Sequence, residues 1–152
     1  MQISPHFTLI QLVRSETADA HGIDNAAPPE LIDNLTRLAQ GLEQVQALLG
    51  HPLAISSAYR CPELNAIVGG AQASQHVLGE AADFDCPEFG TPLEVALAIA
   101  ASGIRYDQVI LEYARWVHIS FNAAPRNRLL TINTADQGYL AGLWDQGGNQ
   151  FA

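Results

Sequence analysis

Two of the five histidines in this chain stand where their rings could bind a metal. His76 lies in SQHVLGEAAD, and Asp83 follows across a glycine, so the loop can fold back and bring imidazole and carboxylate together. His118 lies in WVHIS, a β-branched and aromatic run in which a strand would hold its ring rigidly. Two imidazoles and one carboxylate are a ligand set that zinc accepts in catalytic sites, with a fourth position left for water. Their spacing alone would also be compatible with three ordinary structural side chains that bind no metal. The other histidines are expected on the surface: His6, His21 and His51.

Strand patterns surround these candidate ligands. LAISSAYR, residues 53–60, and EAADFDC both alternate as strands do, with the polar loop AQASQHVLG between them. DQVILEY and WVHISF predict two more strands, joined by a tight connection around Ala114 and Arg115. RLLTIN is a further candidate strand, followed by a tail rich in Gly, Gln and Asp that we expect to be partly mobile.

Helical patterns fill most of the remaining chain. Thr8 and Gln11 form a capping box ahead of a short helix that we expect to end around Gly22. An apolar stripe at three- and four-residue steps then predicts a long helix from Pro29 to Gly50. CPELNAIVGG predicts a short helix. A last helix should begin with the capping box of Thr91 and Glu94 around Pro92 and stop at Gly103. Helices combined with mostly adjacent strands indicate an α+β domain.

Composition limits the classes of function. A chain of 152 residues with 48% hydrophobic and 15% charged side chains is typical of one compact domain. The net charge of -9 would repel nucleic acid. No apolar run approaches the roughly 20 residues of a membrane-spanning helix, and the N-terminus lacks a secretion signal, so synthesis in the cytoplasm is expected. No feature indicates an oligomeric state.

The two cysteines, Cys61 and Cys86, are too few for a disulfide framework and form no CxxC pair. Two reduced thiols are expected. Because both flank segments assigned to the candidate site, a bridge under oxidising conditions stays open as an alternative.

The motifs SSAYRCPELNAIVGG, SQHVLGEAADFD and YDQVILEYARWVHISF, in that order, resemble the zinc D-Ala-D-Ala carboxypeptidases and their phage endolysin relatives. The opening FTLIQLVRSETADAHGIDN is similar to the phage-type branch, and the likeness covers roughly residues 3–122. It implies a small antiparallel or mixed sheet flanked by helices, the fold shared by Hedgehog and DD-peptidases. It also implies a zinc peptidase domain over residues 1–125, with residues 126–152 as a C-terminal strand and tail.

The resemblance implies that zinc is bound by His76, Asp83 and His118, and that Arg60 contacts the substrate carbonyl or carboxylate. A guanidinium at a strand end could stabilise an oxyanion; a solvated surface charge is the alternative reading of Arg60. Supporting roles near the substrate or the ligands are expected of four more residues. Ser74 would order the loop or substrate, Tyr59 and Trp116 would serve as wall or packing residues, and Asp85 would orient a ligand imidazole.

Glu112 is the expected general base, although several relatives carry an acid three positions before the second histidine, where this chain has Arg115. If Tyr113 pairs with Val117 across a three-residue loop, Glu112 faces His118; a two-residue loop would turn it to the opposite face. Asp85 and Asp107 are the fallback acids, with Asp107 expected to cap the turn into the strand.

The expected reaction is hydrolysis of a peptide bond in peptidoglycan by a zinc-activated water. Either a carboxypeptidase or an endopeptidase would fit, and the phage-like character favours a lytic endopeptidase acting on the wall after release or from a phage particle. A non-catalytic zinc-containing binding module of the same fold is the alternative from another class, and a metal-free structural domain is a third.

Overall fold

The computed structural model describes residues 1–152, which fold around one mixed sheet. Its strands are β1 Ala54–Ser57, β2 Ala81–Asp85, β3 Gln108–Glu112, β4 Trp116–Ser120, β5 Arg128–Ile132 and β6 Tyr139–Ala141. The strand order is β1-β2-β4-β3-β5-β6, and all neighbours are antiparallel except the parallel pair β3 and β5. The predicted α+β class with a small mixed sheet is confirmed.

Five α-helices accompany the sheet: α1 Leu9–Val13, α2 Glu16–Ala20, α3 Ile32–Leu49, α4 Pro62–Ile67 and α5 Pro92–Ala100. Both predicted capping boxes are confirmed, at Thr8 and at Thr91. Gly50 ends α3 in the left-handed conformation, φ 70°, which a glycine adopts without steric cost. No helix has the length and apolar character needed to cross a bilayer.

The first predicted helix is wrong in its extent, because the chain breaks between α1 and α2. Arg14 is extended, with ψ 135°, and Ser15 then caps α2 by accepting a hydrogen bond from Ala18 N. The freed carbonyl of Val13 accepts a hydrogen bond from the side chain of Asn25 at 2.7 Å. A second capping signal inside one apolar pattern therefore produced two helices.

Other elements also differ from the predicted ones. The long helix α3 begins at Ile32 and not at Pro29, because Pro29–Leu31 form a 3₁₀ turn. The strand expected over residues 53–60 ends at Ser57, because its register shifts after Ile55 and Tyr59 N donates to Leu12 O instead. Helix α5 ends at Ala100, ahead of Gly103. Strand β6 lies in the tail for which no strand was predicted.

The sheet separates a buried face from an open one. Val109, Leu111, Val117 and Ile119 point into the hydrophobic core, which Leu38, Leu42, Val95 and Ile99 of α3 and α5 complete. The alternate residues of β3 and β4 face the other way and line a cleft. The period of two along each strand thus divides residues that stabilise the fold from residues available for chemistry.

The C-terminal segment belongs to this sheet through β5, which confirms the strand predicted in RLLTIN. Leu143, beyond β6, is fully buried and bonds through its backbone to Ala152. The division of the chain at residue 125 and the partial mobility of the tail stay predictions.

Both cysteines are free thiols. Cys61 Sγ caps α4 by accepting a hydrogen bond from Leu64 N at 3.4 Å. Cys86 is buried, and its thiol donates to Pro52 O at 3.4 Å. Each sulfur thus has a separate structural environment, and the two are not bridged in this structure.

Gly41 on α3 faces the ring of Phe121, and a Cβ at that position would lie 2.4 to 2.5 Å from three ring atoms. We predict that Gly41→Ala lowers the free energy of unfolding by about 1 kcal/mol, measured by urea denaturation. Overpacking typically costs about 1 to 3 kcal/mol, which exceeds the gain of about 1 kcal/mol in helix propensity.

Gly103→Ala is the control, because nothing lies within 4 Å of a Cβ at that position. An alanine variant at position 41 that is as stable as the parent would show that the Phe121 ring moves aside freely.

Candidate metal centre

His76, Asp83 and His118 meet at one point, with ligand atoms that all lie within 4.8 Å of one another. Asp83 Oδ1 is 3.2 Å from His76 Nε2 and 3.1 Å from His118 Nδ1. All three residues are buried. The structure therefore brings together the three side chains that the sequence indicated.

The sheet fixes two of the three side chains directly. Asp83 on β2 and His118 on β4 are direct partners in the antiparallel register, so both side chains leave the same face of the sheet. Such neighbours have Cβ atoms about 5 Å apart, close enough to share one ligand.

His76 comes from the loop between α4 and β2, and that loop is tied to the chain just after β1. His76 Nδ1 donates to Ala58 O at 2.6 Å, and Arg60 N donates to His76 O at 3.1 Å. Ser74 Oγ accepts a hydrogen bond from His76 N at 3.2 Å, an interaction that orders the loop. These bonds fix the orientation of the ring without a strand.

The hydrogen bonds of His76 show that the group fits a cation. Since Nδ1 carries the proton donated to Ala58 O, a neutral ring presents the lone pair of Nε2 to the carboxylate of Asp83. Two acceptors at 3.2 Å repel each other unless a positive charge lies between them. A divalent metal or an extra proton supplies that charge, and the neutral imidazole is the form that binds metals.

Asp83 is ionised within this group. Burial opposes its ionisation, but hydrogen bonds and positive charge from the protonated forms of His118 and His76 outweigh burial and lower its pKa below the ordinary value. A metal ion among the same atoms would supply this positive charge in place of the protons. The carboxylate is thus available as a metal ligand. The group holds three donor residues, so a tetrahedral metal would keep one position for water or substrate.

Arg60 lies beside the metal group and is not a solvated surface charge. Its side chain is 14% exposed, and Nη2 is 3.5 Å from Asp83 Oδ2. Nε donates to Ser57 Oγ at 3.2 Å and Nη1 donates to Asn65 Oδ1 at 3.0 Å. These contacts fix the guanidinium at the edge of the cleft, although it follows β1 instead of ending it.

The hairpin register predicted for Glu112 is wrong by one residue in each strand. Glu112 pairs with Trp116, not with His118, and the loop consists of Tyr113, Ala114 and Arg115. The loop length of three was correct, and Tyr113 and Ala114 both take φ 55° to close it. A shift of one residue in each strand leaves the two side chains on the same face of the sheet. Glu112 therefore shares its face with His118, as a role as general base requires.

Trp116 orients the carboxylate of Glu112. Its Nε1 donates to Glu112 Oε2 at 2.5 Å. Burial, followed by the negative charge of Asp83, raises the pKa of Glu112, while His118, Trp116 and Arg60 oppose the rise. Trp116 was expected only as a wall or packing residue; the correct cross-strand register would have revealed this contact.

Two other predicted residues do not contact the candidate ligands. Tyr59 is 3% exposed and packs in the core, the packing role that was one of its two expected roles. Asp85 does not bond to either imidazole, which corrects its predicted role; Ala58 O holds His76 instead. Asp85 pairs with Ala54, two residues along β2 from Asp83, and this places it beyond the ligands.

Asp107 does not cap the turn into β3 as predicted; it forms long-range contacts instead. Its fully buried carboxylate accepts hydrogen bonds from Arg126 Nε at 2.8 Å and Nη2 at 2.7 Å, and from Gln75 Nε2 at 2.8 Å. Gln75 directly precedes His76, so Asp107 fastens the ligand loop to the start of β3. This contact could not be predicted from the sequence, because Gln75 and Arg126 are distant from Asp107 in the chain.

The metal group opens into a cleft of about 730 Å³ whose floor is the open face of the sheet. Its far wall comes from β5 and β6, which sequence reasoning did not assign to the site: Arg128, Leu130, Ile132 and Tyr139. A second cavity of about 570 Å³, lined in part by Gln11 and by residues 14–17, shares Arg60 and Val68 with the cleft. The two cavities therefore adjoin at Arg60.

A family model described as Peptidase M15 matches residues 5–120 of the chain. That span contains the three candidate ligands, Arg60 and Glu112, and it ends before β5. No curated protein matches the chain.

We predict that His76→Ala abolishes stoichiometric metal binding, because removal of one of three ligands leaves two donors. Metal content would be measured by mass spectrometry of protein purified without chelator. His51→Ala is the matched control, since His51 pairs with Glu88 away from the site. Equal metal content in the His76 variant and the parent would place the metal elsewhere.

The Asp107 contacts predict a pH-dependent contribution to stability. Hydrogen bonds from Arg126 are the main cause that lowers the Asp107 pKa from 3.8 to about 2. The ionised carboxylate therefore stabilises the fold above pH 3.8, and this contribution is lost as the pH falls from 3.8 toward 2. We expect roughly 1 to 2 kcal/mol, since Arg126 is half exposed and screened by solvent.

Urea denaturation of the parent and of Asp107→Asn at several pH values tests this contribution. The difference in unfolding free energy should be largest near pH 6 and should shrink at pH 2.5. The exposed Asp136→Asn is the control. A difference that is the same at both pH values would contradict the ionic contribution.

Proposed function

Because the chain belongs to the peptidase M15 family, we propose that it hydrolyses peptide bonds of bacterial peptidoglycan with zinc bound by His76, Asp83 and His118. The observation that carries the proposal is the buried group of three donors, which shares the cleft with Glu112 and Arg60. A metal that only stabilised the fold would be expected to have four protein ligands. The three donors of this group instead suit catalysis.

Zinc at this position would supply a Lewis acid that polarises the substrate carbonyl and makes a water molecule acidic near pH 7. The residues around it prepare the donors. Ala58 O keeps the proton of His76 on Nδ1, so Nε2 is free to bind a metal. The direct pairing of β2 and β4 holds Asp83 and His118 at a fixed separation.

Glu112 is the proposed general base. Its carboxylate lies in the cleft on the face of His118, where it would take the proton of the attacking water and pass it to the departing amine. Burial brings its pKa closer to neutrality, which improves proton return to the amine. The indole of Trp116 holds one carboxylate oxygen and leaves the other free for the water.

Arg60 is the proposed contact for the developing oxyanion. A guanidinium has five N–H donors, and the contacts with Ser57, Asn65 and Asp83 occupy one each. Two donors stay free to bind the carbonyl oxygen of a substrate in the cleft. Because the guanidinium is held on three sides, it would need little reorganisation as negative charge develops on that oxygen.

We further propose an endopeptidase, of the lytic phage type that the opening of the chain resembles. The two cavities that adjoin at Arg60 support this choice, since a peptide could extend to both sides of the cleavage position. A carboxypeptidase needs room for only one terminal residue on the leaving side. Such an enzyme would reach the wall after release from the cell or as part of a phage particle.

Digestion of purified muropeptides, with mass spectrometry of the new termini, tests the proposed activity. Cleavage within the stem peptide or cross-link is expected for the zinc-loaded protein. Removal of a terminal D-alanine alone would contradict the endopeptidase proposal, and intact muropeptides would contradict the peptidase proposal.

In the same assay, Glu112→Gln should lower kcat by about 10² to 10⁴, because the amide cannot accept the proton, while zinc content stays unchanged. Glu88→Gln is the matched control, on a carboxylate that pairs with His51. Full turnover by the position 112 variant would remove Glu112 from the mechanism.

A further inference from the structure

The positive charges of this acidic chain are concentrated at the proposed active site. All seven basic residues are arginines, against sixteen acidic residues. Three of the seven line the cleft that holds the metal group: Arg60, Arg126 and Arg128. Asp83 and Glu112 also line the cleft, and Arg60 and Arg126 contact the carboxylates of Asp83 and Asp107, so the positive charge left for an anionic ligand is that of Arg128.

Arg128 is the arginine of the cleft that has no protein partner. Arg126 is bound to the carboxylate of Asp107, and Arg60 is held by three contacts. The side chain of Arg128 donates no hydrogen bond and forms no ion pair, while its backbone is fixed by β5. Its guanidinium is exposed on the cleft wall and free to bind a ligand.

The sheet register gives the position of Arg128 relative to the proposed metal. Arg128 pairs with Gln108, and His118 pairs with Ile110 two residues further along the same strand. Arg128 therefore lies two strands across the sheet from His118 and two residues along it. This offset places their Cα atoms roughly 12 Å apart. The Arg128 side chain extends over part of this distance. Its guanidinium would therefore contact a group on an extended peptide about two to three residues from the bond that is cut.

We infer that Arg128 binds a carboxylate of the substrate, two to three residues from the peptide bond that is cut. A planar guanidinium forms two parallel hydrogen bonds with a carboxylate, which distinguishes that group from an amide. Gln108, beside Arg128 in the cleft, offers an additional amide donor. The inference rests on the proposed peptidase function, and it concerns a residue outside the family match of residues 5–120.

The test uses synthetic peptidoglycan stem peptides with all carboxyl groups free and the same peptides with each carboxyl group amidated in turn. For the fully free peptide, Arg128→Gln should raise KM about tenfold or more and change kcat by less than about twofold. Amidation of one particular carboxyl group should raise the parent KM by a similar factor. With that amidated peptide, the parent and the variant should have equal KM values.

Arg105→Gln is the control, because it removes the same charge from an exposed position outside the cleft. An equal KM rise in this control would indicate a general charge effect and overturn the inference. Equal KM values for the parent and Arg128→Gln on every peptide would also overturn it.

Calorimetry separates recognition from hydrolysis. It would measure the Kd of the same peptides for the Glu112→Gln variant and for the double variant that also carries Arg128→Gln. The Kd of the free peptide should rise about tenfold when Arg128 is replaced, and an unchanged Kd would overturn the inference. If the parent cleaves nothing and binding still depends on Arg128 and the carboxylate, the proposed function fails and the inferred contact stands.

Discussion

The carboxylate of Asp83 lies buried between two imidazoles, and this contact determines what the site can be. Because the Nδ1 proton of His76 is donated to Ala58 O, a neutral ring turns a lone pair toward that carboxylate. Burial in a medium of low polarity strengthens the repulsion between two such acceptors. A metal ion or an additional proton among the three donors removes this repulsion. A zinc ion would satisfy all three at once and leave one coordination position vacant.

The sheet makes this arrangement compatible with a stable fold. One face of β2, β3 and β4 carries the apolar residues that pack against α3 and α5. The opposite face carries Asp83, Glu112 and His118, so the polar residues of the site do not interrupt the core. Strands β5 and β6 extend the open face into a wall, and that wall lies outside the family match. The chemistry and the proposed recognition of substrate therefore come from different parts of the chain.

Local signals in the sequence predicted much of the fold and the ligand set. Capping boxes at Thr8 and Thr91 act over three residues, and strand alternation assigned His118 to the correct strand. Contacts between distant segments were not predictable in this way. The hydrogen bond from Trp116 to Glu112 depends on the hairpin register, and the bond from Gln75 to Asp107 joins a loop to the start of β3. Such contacts depend on tertiary packing, which no local pattern encodes.

Diffraction data collected on both sides of the zinc absorption edge, from crystals of protein purified without chelator, test the central claim most directly. An anomalous peak is expected about 2.0 to 2.2 Å from His76 Nε2, an Asp83 carboxylate oxygen and His118 Nδ1. The absence of a peak among these atoms, or a peak bound by other residues, would contradict a catalytic zinc at this site.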